Sequence, residues 1–279
     1  MSTRFVSQPL QALGRQWLLK NSHPLAKAEL MESAIVFAPH PDDETLGCGG
    51  TILRKQQAGA EVKIVFVTDG SRSHKRLMSE QALRGIRMEE AQAAGQALGL
   101  VEKDLIFLDV KEGELRSNQD RAGDKVCQIL AEYQPNQVFV PHYQEPPLDH
   151  RMTQRIVLKT LADLNRPVTV FEYPIWLWRH WPWTDISWRT YRHPLAGIRH
   201  NLVLLYHLLG ELTTRHFVGD LLGQKQAALA QHNSQMTRLL PSPEWLTLSD
   251  VSDGAFLQCF FQDHEYFFRY AWMDKIGPG

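Results

Sequence analysis

Ser33-Ala34-Ile35-Val36-Phe37-Ala38-Pro39-His40-Pro41-Asp42-Asp43-Glu44-Thr45-Leu46-Gly47-Cys48 sets an unbroken apolar run directly against an imidazole and three carboxylates. A strand buried on both faces reads as such a run, so residues 33–38 predict an interior parallel strand. Ligands of open α/β sheets gather at the carboxyl ends of these strands. Crowding His40, Asp42, Asp43 and Glu44 there is costly unless a cation accompanies them.

Four more runs rich in β-branched and aromatic residues follow, at 62–67, 105–108, 138–140 and 168–171. Helix-length stretches of mixed polarity separate the strands, at 50–57, 79–98, 119–133 and 150–164. This βαβ alternation predicts an α/β fold, a Rossmann-like doubly wound parallel sheet. The common order 3-2-1-4-5 makes the first and fourth strands neighbours at the switch point, so a site should span their ends.

Beyond Pro174 the character changes. Five of the eight tryptophans, Trp176, Trp178, Trp181, Trp183 and Trp188, crowd together with Arg179, His180, Arg189, Arg192 and His193. The expected organisation is an N-terminal extension over 1–32 and one domain over 33–279, of which 174–279 is a helical and aromatic elaboration. The tryptophan segment reads as a buried packing layer, a sugar-stacking lid, a subunit contact or a peripheral membrane surface.

Bulk properties exclude several classes. Thirty basic and 31 acidic residues among 279 leave a net charge of −1, with no field to steer nucleic acid. Cys48, Cys127 and Cys259 are odd in number and show no paired spacing, which fits a reducing compartment. Residues 1–27 lack a secretory pattern and the strongest apolar stretch, 202–209, is too short to span a bilayer, so a cytoplasmic protein is expected.

A catalytic zinc site keeps three protein ligands and an open position. His40 and Asp43 supply two, and His150 is the natural third because 141–150 follows the neighbouring fourth strand. Asp149 is placed to hold His150 in one tautomer. Asp42 stands beside the metal without binding it, as a general base for metal-assisted hydrolysis. A plain helix N-cap accounts for Asp42 or Asp43 but not for His40. Magnesium chemistry on Asp42, Asp43 and Glu44 leaves both histidines without a purpose. A two-His carboxylate set accepts Fe2+ as well as Zn2+.

These residues resemble the PIG-L/LmbE-like N-acetylglucosamine deacetylase family, whose signature is (A/P)-H-P-D-D-E. The resemblance extends through 45–50, Val67-Thr68-Asp69-Gly70, Arg87-Met88-Glu89-Glu90-Ala91, Asp149-His150-Arg151, Tyr173-Pro174-Ile175-Trp176, the stretch 225–235 and Glu265-Tyr266-Phe267-Phe268. It implies a zinc-dependent deacetylase acting on a small amino-sugar substrate, an N-acetylglucosamine glycoconjugate or lipid-linked sugar. His40, Asp43 and His150 then bind zinc and Asp42 is the base. Arg87 matches a substrate-contacting arginine, although pairing with Glu90 at i+3 explains it equally. Asp69 belongs to the pocket in the same pattern, and as a bare Asp-Gly pair it reads as a turn.

One departure stands out. The family's second motif reads H-x-D-H, and here its first histidine is Pro147. Proline neither stabilises an oxyanion nor protonates an amine. The omission implies a slow enzyme, a different acid, or a non-catalytic zinc- or sugar-binding paralogue; His142, just upstream, reads equally as a substitute and as a polar loop residue.

Overall fold

The computed structural model describes residues 4–184 and 194–272. Its strands are β1 (His23–Pro24), β2 (Ala34–Ala38), β3 (Val62–Thr68), β4 (Leu105–Val110), β5 (Gln137–Pro141), β6 (Thr169–Tyr173), β7 (Thr214–Phe217) and β8 (His264–Ala271). Along β2, β3 and β5 every residue is buried, as helices on both faces require. Alternate side chains serve opposite layers: Ala34, Val36 and Ala38 join one core, and Ile35 and Phe37 the other.

The helices are α1 (Arg4–Asn21), α2 (Lys27–Leu30), α3 (Asp43–Gln57), α4 (Glu80–Ala97), α5 (Gln119–Tyr133), α6 (Leu148–Leu164), α7 (Pro194–Glu211), α8 (Leu222–Leu229), α9 (Asn233–Met236) and α10 (Ala255–Gln258). Leu46, Ile52 and Leu53 of α3 and Ala91 of α4 cover the first face; Val126 and Leu130 of α5 and Ile156 and Val157 of α6 cover the second. This is a doubly wound α/β arrangement.

The sheet runs β1-β7-β8-β6-β5-β2-β3-β4. Within it, the five strands foreseen from sequence are parallel and take the order 3-2-1-4-5 among themselves. The sheet as a whole departs from that expectation, because it continues for three more strands. β8 pairs antiparallel with β6, β7 antiparallel with β8, and β1 parallel with β7. In β8 only Glu265 and Phe267 are buried, a period-two pattern that covers one face. β1 has two residues, too few to carry any periodicity.

α3 also departs from the sequence reading, which starts a helix at 50. It begins at Asp43 and takes Gly47, Gly49 and Gly50 into its interior. Glycine weakens a helix, but here backbone and neighbours touch. A Cβ on Gly47 would lie 2.4 Å from the Tyr173 ring, and one on Gly50 2.5 Å from Val218.

The tryptophan segment is divided. Trp178 and Trp183 are buried against each other edge to face, with Trp183 seated on Gly14 of α1. Trp176 stacks on Phe256, ring centroids 5.0 Å apart, and lines the central cavity. Trp188, Arg189, Arg192 and His193 lie outside the described residues. Among the described residues no helix is long and apolar enough to cross a membrane.

Candidate metal centre

β2 and β5 are hydrogen-bonded neighbours, with Ala34 opposite Gln137 and Val36 opposite Phe139. The loop after β2 therefore meets the loop after β5. His40, Asp43 and His150 converge there, one ligand atom from each lying within 4.8 Å of the others. Asp43 Oδ2 is 3.3 Å from His40 Nδ1 and 3.3 Å from His150 Nε2.

Carboxylates back both imidazoles. Asp149 Oδ2, which accepts from the Gly113 amide, lies 3.6 Å from His40 Nε2. Glu145 Oε2 lies 3.2 Å from His150 Nδ1. The sequence reading gave Asp149 to the adjacent His150; the structure turns it to His40, because neighbours on a helix face apart. Glu145 takes its place. It is fully buried and accepts from the amides of Ile175, Trp176 and Leu177.

The residues fit a divalent ion. Neither ring nitrogen of buried His150 has a hydrogen-bond partner among the described residues, although an acid stands near each. Burial alone would lower the His40 pKa, but Asp149 and Asp43 outweigh it and raise it well above its usual value. Carboxylates backing each histidine are the usual support of a metal site. Glu145→Gln is expected to weaken metal affinity about 10- to 100-fold with little change in fold, as metal titration of the apoprotein followed by calorimetry would show.

Asp42 is the N-cap residue of α3, yet its side chain makes no capping bond and its φ is 126°. That backbone is strained for a residue with a Cβ, and fixed partners hold it. Its amide donates to Glu44 Oε2 at 3.0 Å. Arg87 donates to the Pro41 carbonyl and reaches Asp42 Oδ2 at 3.4 Å. Burial pushes the Asp42 carboxyl up to about 7, against the pull of the Arg87 guanidinium.

Glu44 turns from the metal site to His232, whose Nε2 donates to Oε1 at 2.9 Å. Both are buried, with Glu44 held below and His232 above its usual range by the pairing, each against the effect of burial. Three acids in sequence thus have three separate environments, which a three-carboxylate magnesium site does not explain.

A cavity of about 710 Å3 opens over the cluster. Asp42, Arg87, Pro147, Trp176, Arg179, Gln235 and Phe256 line it. Glu90, the alternative partner for Arg87, instead accepts from Ser234. Asp69 is not on the cavity wall: its Oδ1 accepts from the amides of Ser71 and Glu112, joining two loops. His142 is not there either, since its Nε2 faces Glu211 Oε2 at 3.1 Å. The substitute role foreseen for it has no support in this arrangement.

Sequence reasoning missed several members. Glu112, in the loop 111–118 between β4 and α5, lies 4.0 Å from His40 Nε2, and no local pattern had marked it. Ser73 accepts from Arg87 and also meets His74 Nδ1; His74 stacks on Trp245 and its Nε2 meets the Leu246 carbonyl. Gln235 is buried on the cavity wall, and its Nε2 has no hydrogen-bond partner among the described residues. Its stretch had carried a resemblance but no assigned contact.

The chain is similar to several known proteins. The family described as PIG-L: GlcNAc-PI de-N-acetylase matches residues 35–161. A Bacillus cereus protein described as "Probable N-acetyl-alpha-D-glucosaminyl L-malate deacetylase 2" is 29% identical over 144 residues, 48% of this chain and 64% of its own length. A diacetylchitobiose deacetylase from Thermococcus kodakarensis is 30% identical over 144 residues, 49% of this chain and 52% of its own. The chain thus spans between half and two thirds of these curated relatives. Among solved structures, N,N'-diacetylchitobiose deacetylase from Pyrococcus horikoshii superposes with a TM-score of 0.63 at 21% identity, covering 88% of this chain and 85% of that one. The last likeness is one of fold.

Proposed function

The chain belongs to the PIG-L/LmbE-like N-acetylglucosamine deacetylase family, and from that premise we propose that it is a metal-dependent amide hydrolase removing acetyl from an N-acetylglucosamine glycoconjugate. The observation that carries this reading is the convergence of His40, Asp43 and His150 beside strained, buried Asp42 at the floor of a cavity. The two curated relatives named above are deacetylases of amino-sugar compounds, which supports the substrate class.

His40, Asp43 and His150 would hold Zn2+, or Fe2+ with the same donor set. Once bound, the ion polarises an amide carbonyl and acidifies water. Asp42 takes the proton from the attacking water and returns it to the departing amine, leaving acetate and a free amino sugar. Arg87, held by Pro41 and Asp42, fixes the base rather than roaming toward substrate. Trp176 and Phe256 give a sugar ring an aromatic wall. Gln235 Nε2 supplies an uncommitted donor in a cavity where Pro147 supplies none.

A second reading, a zinc- or sugar-binding paralogue without turnover, is favoured by Pro147 alone. Metal analysis followed by acetate release from N-acetylglucosamine glycosides separates the two. The hydrolase predicts acetate that disappears with a chelator and returns with zinc. Stoichiometric metal with no acetate across the panel would establish the binding protein.

A further inference from the structure

A second cavity, of about 220 Å3, lies between α1, the segment 176–183 and the stretch 259–266, and it shares no lining residue with the cavity over the metal cluster. Leu18, Trp178, Trp183, Cys259 and Tyr266 wall it, together with Arg15. Trp178 and Trp183 meet edge to face, ring centroids 4.9 Å apart, and Leu18 is buried beside them. A dry cavity of about 150 Å3 holds a single benzene ring, so this one has room for a ring and a short arm.

The polar groups on its wall select the ligand. Arg15 makes no ion pair or hydrogen bond among the described residues, and neither do the indole nitrogens of Trp178 and Trp183 or the Tyr266 hydroxyl. All four are donors, and only the hydroxyl also accepts. A buried indole N–H ordinarily finds a partner, yet these two are left open on residues only 7 and 4% exposed. Burial pushes the Cys259 thiol up to about 12, and Arg15 is the charge that pulls against it. Asp263, the single acid on the wall, acts on Tyr266 less than Arg15 does, and its Oδ1 sits beside Gly219. An unpaired cation among donors and aromatic rings is the complement of a flat apolar body with one negative charge.

We infer that this second cavity binds a small aromatic carboxylate, its ring against Trp178 and Trp183 and its carboxylate on Arg15. A single arginine balances a monoanion and grips a carboxylate with two parallel donors, while edge-to-face indoles favour a ring over an alkyl chain. The site is built from residues outside the metal centre, so the inference stands whatever that centre hydrolyses. Two of the clustered tryptophans thereby acquire a ligand of their own, apart from Trp176 on the wall of the larger cavity.

Calorimetric titration of the full chain with phenylacetate at neutral pH tests it, with benzyl alcohol and acetate as controls. Saturable binding of one phenylacetate per chain is expected. Benzyl alcohol, which keeps the ring without the charge, should bind about tenfold or more weakly, and acetate, which keeps the charge without the ring, should not compete. Arg15→Gln should weaken phenylacetate about tenfold or more at an unchanged melting temperature, and Arg15→Lys should recover part of the loss. Lys20→Gln, at an exposed position of the same helix outside the cavity, should leave binding as it is. Absence of saturable binding, equal affinity for benzyl alcohol, or unaltered affinity in Arg15→Gln would overturn the inference. So would competition by acetate, which would give the carboxylate to the metal centre.

Discussion

Asp42→Asn is expected to keep the fold and the metal while lowering kcat about 10²- to 10⁴-fold, the range lost with a general base. The carboxylate is not one of the converging ligands, and its amide bond to Glu44 does not depend on its side chain. Asparagine is isosteric and among the residues that best tolerate positive φ, so the backbone at 126° has no new reason to relax. It also removes a buried charge that burial disfavours, so the melting temperature should hold or rise. Metal content by emission spectroscopy and steady-state acetate release are the two readouts. Unchanged turnover would remove Asp42 from the chemistry; lost metal would make it part of the ion's support. The non-catalytic reading predicts that neither the native chain nor this variant releases acetate.

The position of the centre was legible because two independent signals meet. The run 33–38 identifies a doubly buried strand, and the order 3-2-1-4-5 puts the loop carrying His150 beside the loop carrying His40. Ligand types at the ends of neighbouring strands then have one natural meeting place. The supports were less legible because each depends on side-chain direction, not on proximity in sequence. Asp149 is adjacent to His150 yet faces His40, whereas Glu145, five residues away, folds back to His150. His232 is 188 residues from Glu44, and no local pattern pairs them. Likewise the glycines of α3 argue locally against a helix; only Tyr173 and Val218, distant in the chain, explain them. The far side of the sheet was hidden for a similar reason, as β1 acquires its meaning only from β7.

His232→Ala should cost about 10² in kcat at nearly constant KM and metal content, because the residue acts through Glu44 on the position of Asp42. The chain of contacts is short. His232 donates to Glu44 Oε1, and the Asp42 amide donates to Oε2 of the same carboxylate. Without the imidazole, Glu44 keeps a buried charge whose remaining partners are the Thr45 hydroxyl and the Asp42 amide. Such a charge protonates or turns toward water, since isolated burial is too costly. Either way the amide loses a charged acceptor, and backbone strain of about 1–3 kcal/mol at Asp42 becomes free to relax. A displacement of the base by an ångström is enough for the expected loss. His232→Gln keeps a donor toward Glu44 and should recover most of the rate, whereas a purely space-filling role would be served better by His232→Leu. Stability alone does not separate these variants, since each disturbs a buried site; the split between kcat and KM does. Full activity in His232→Ala would show that Arg87, with its bonds to Pro41 and Asp42, is sufficient to hold the base.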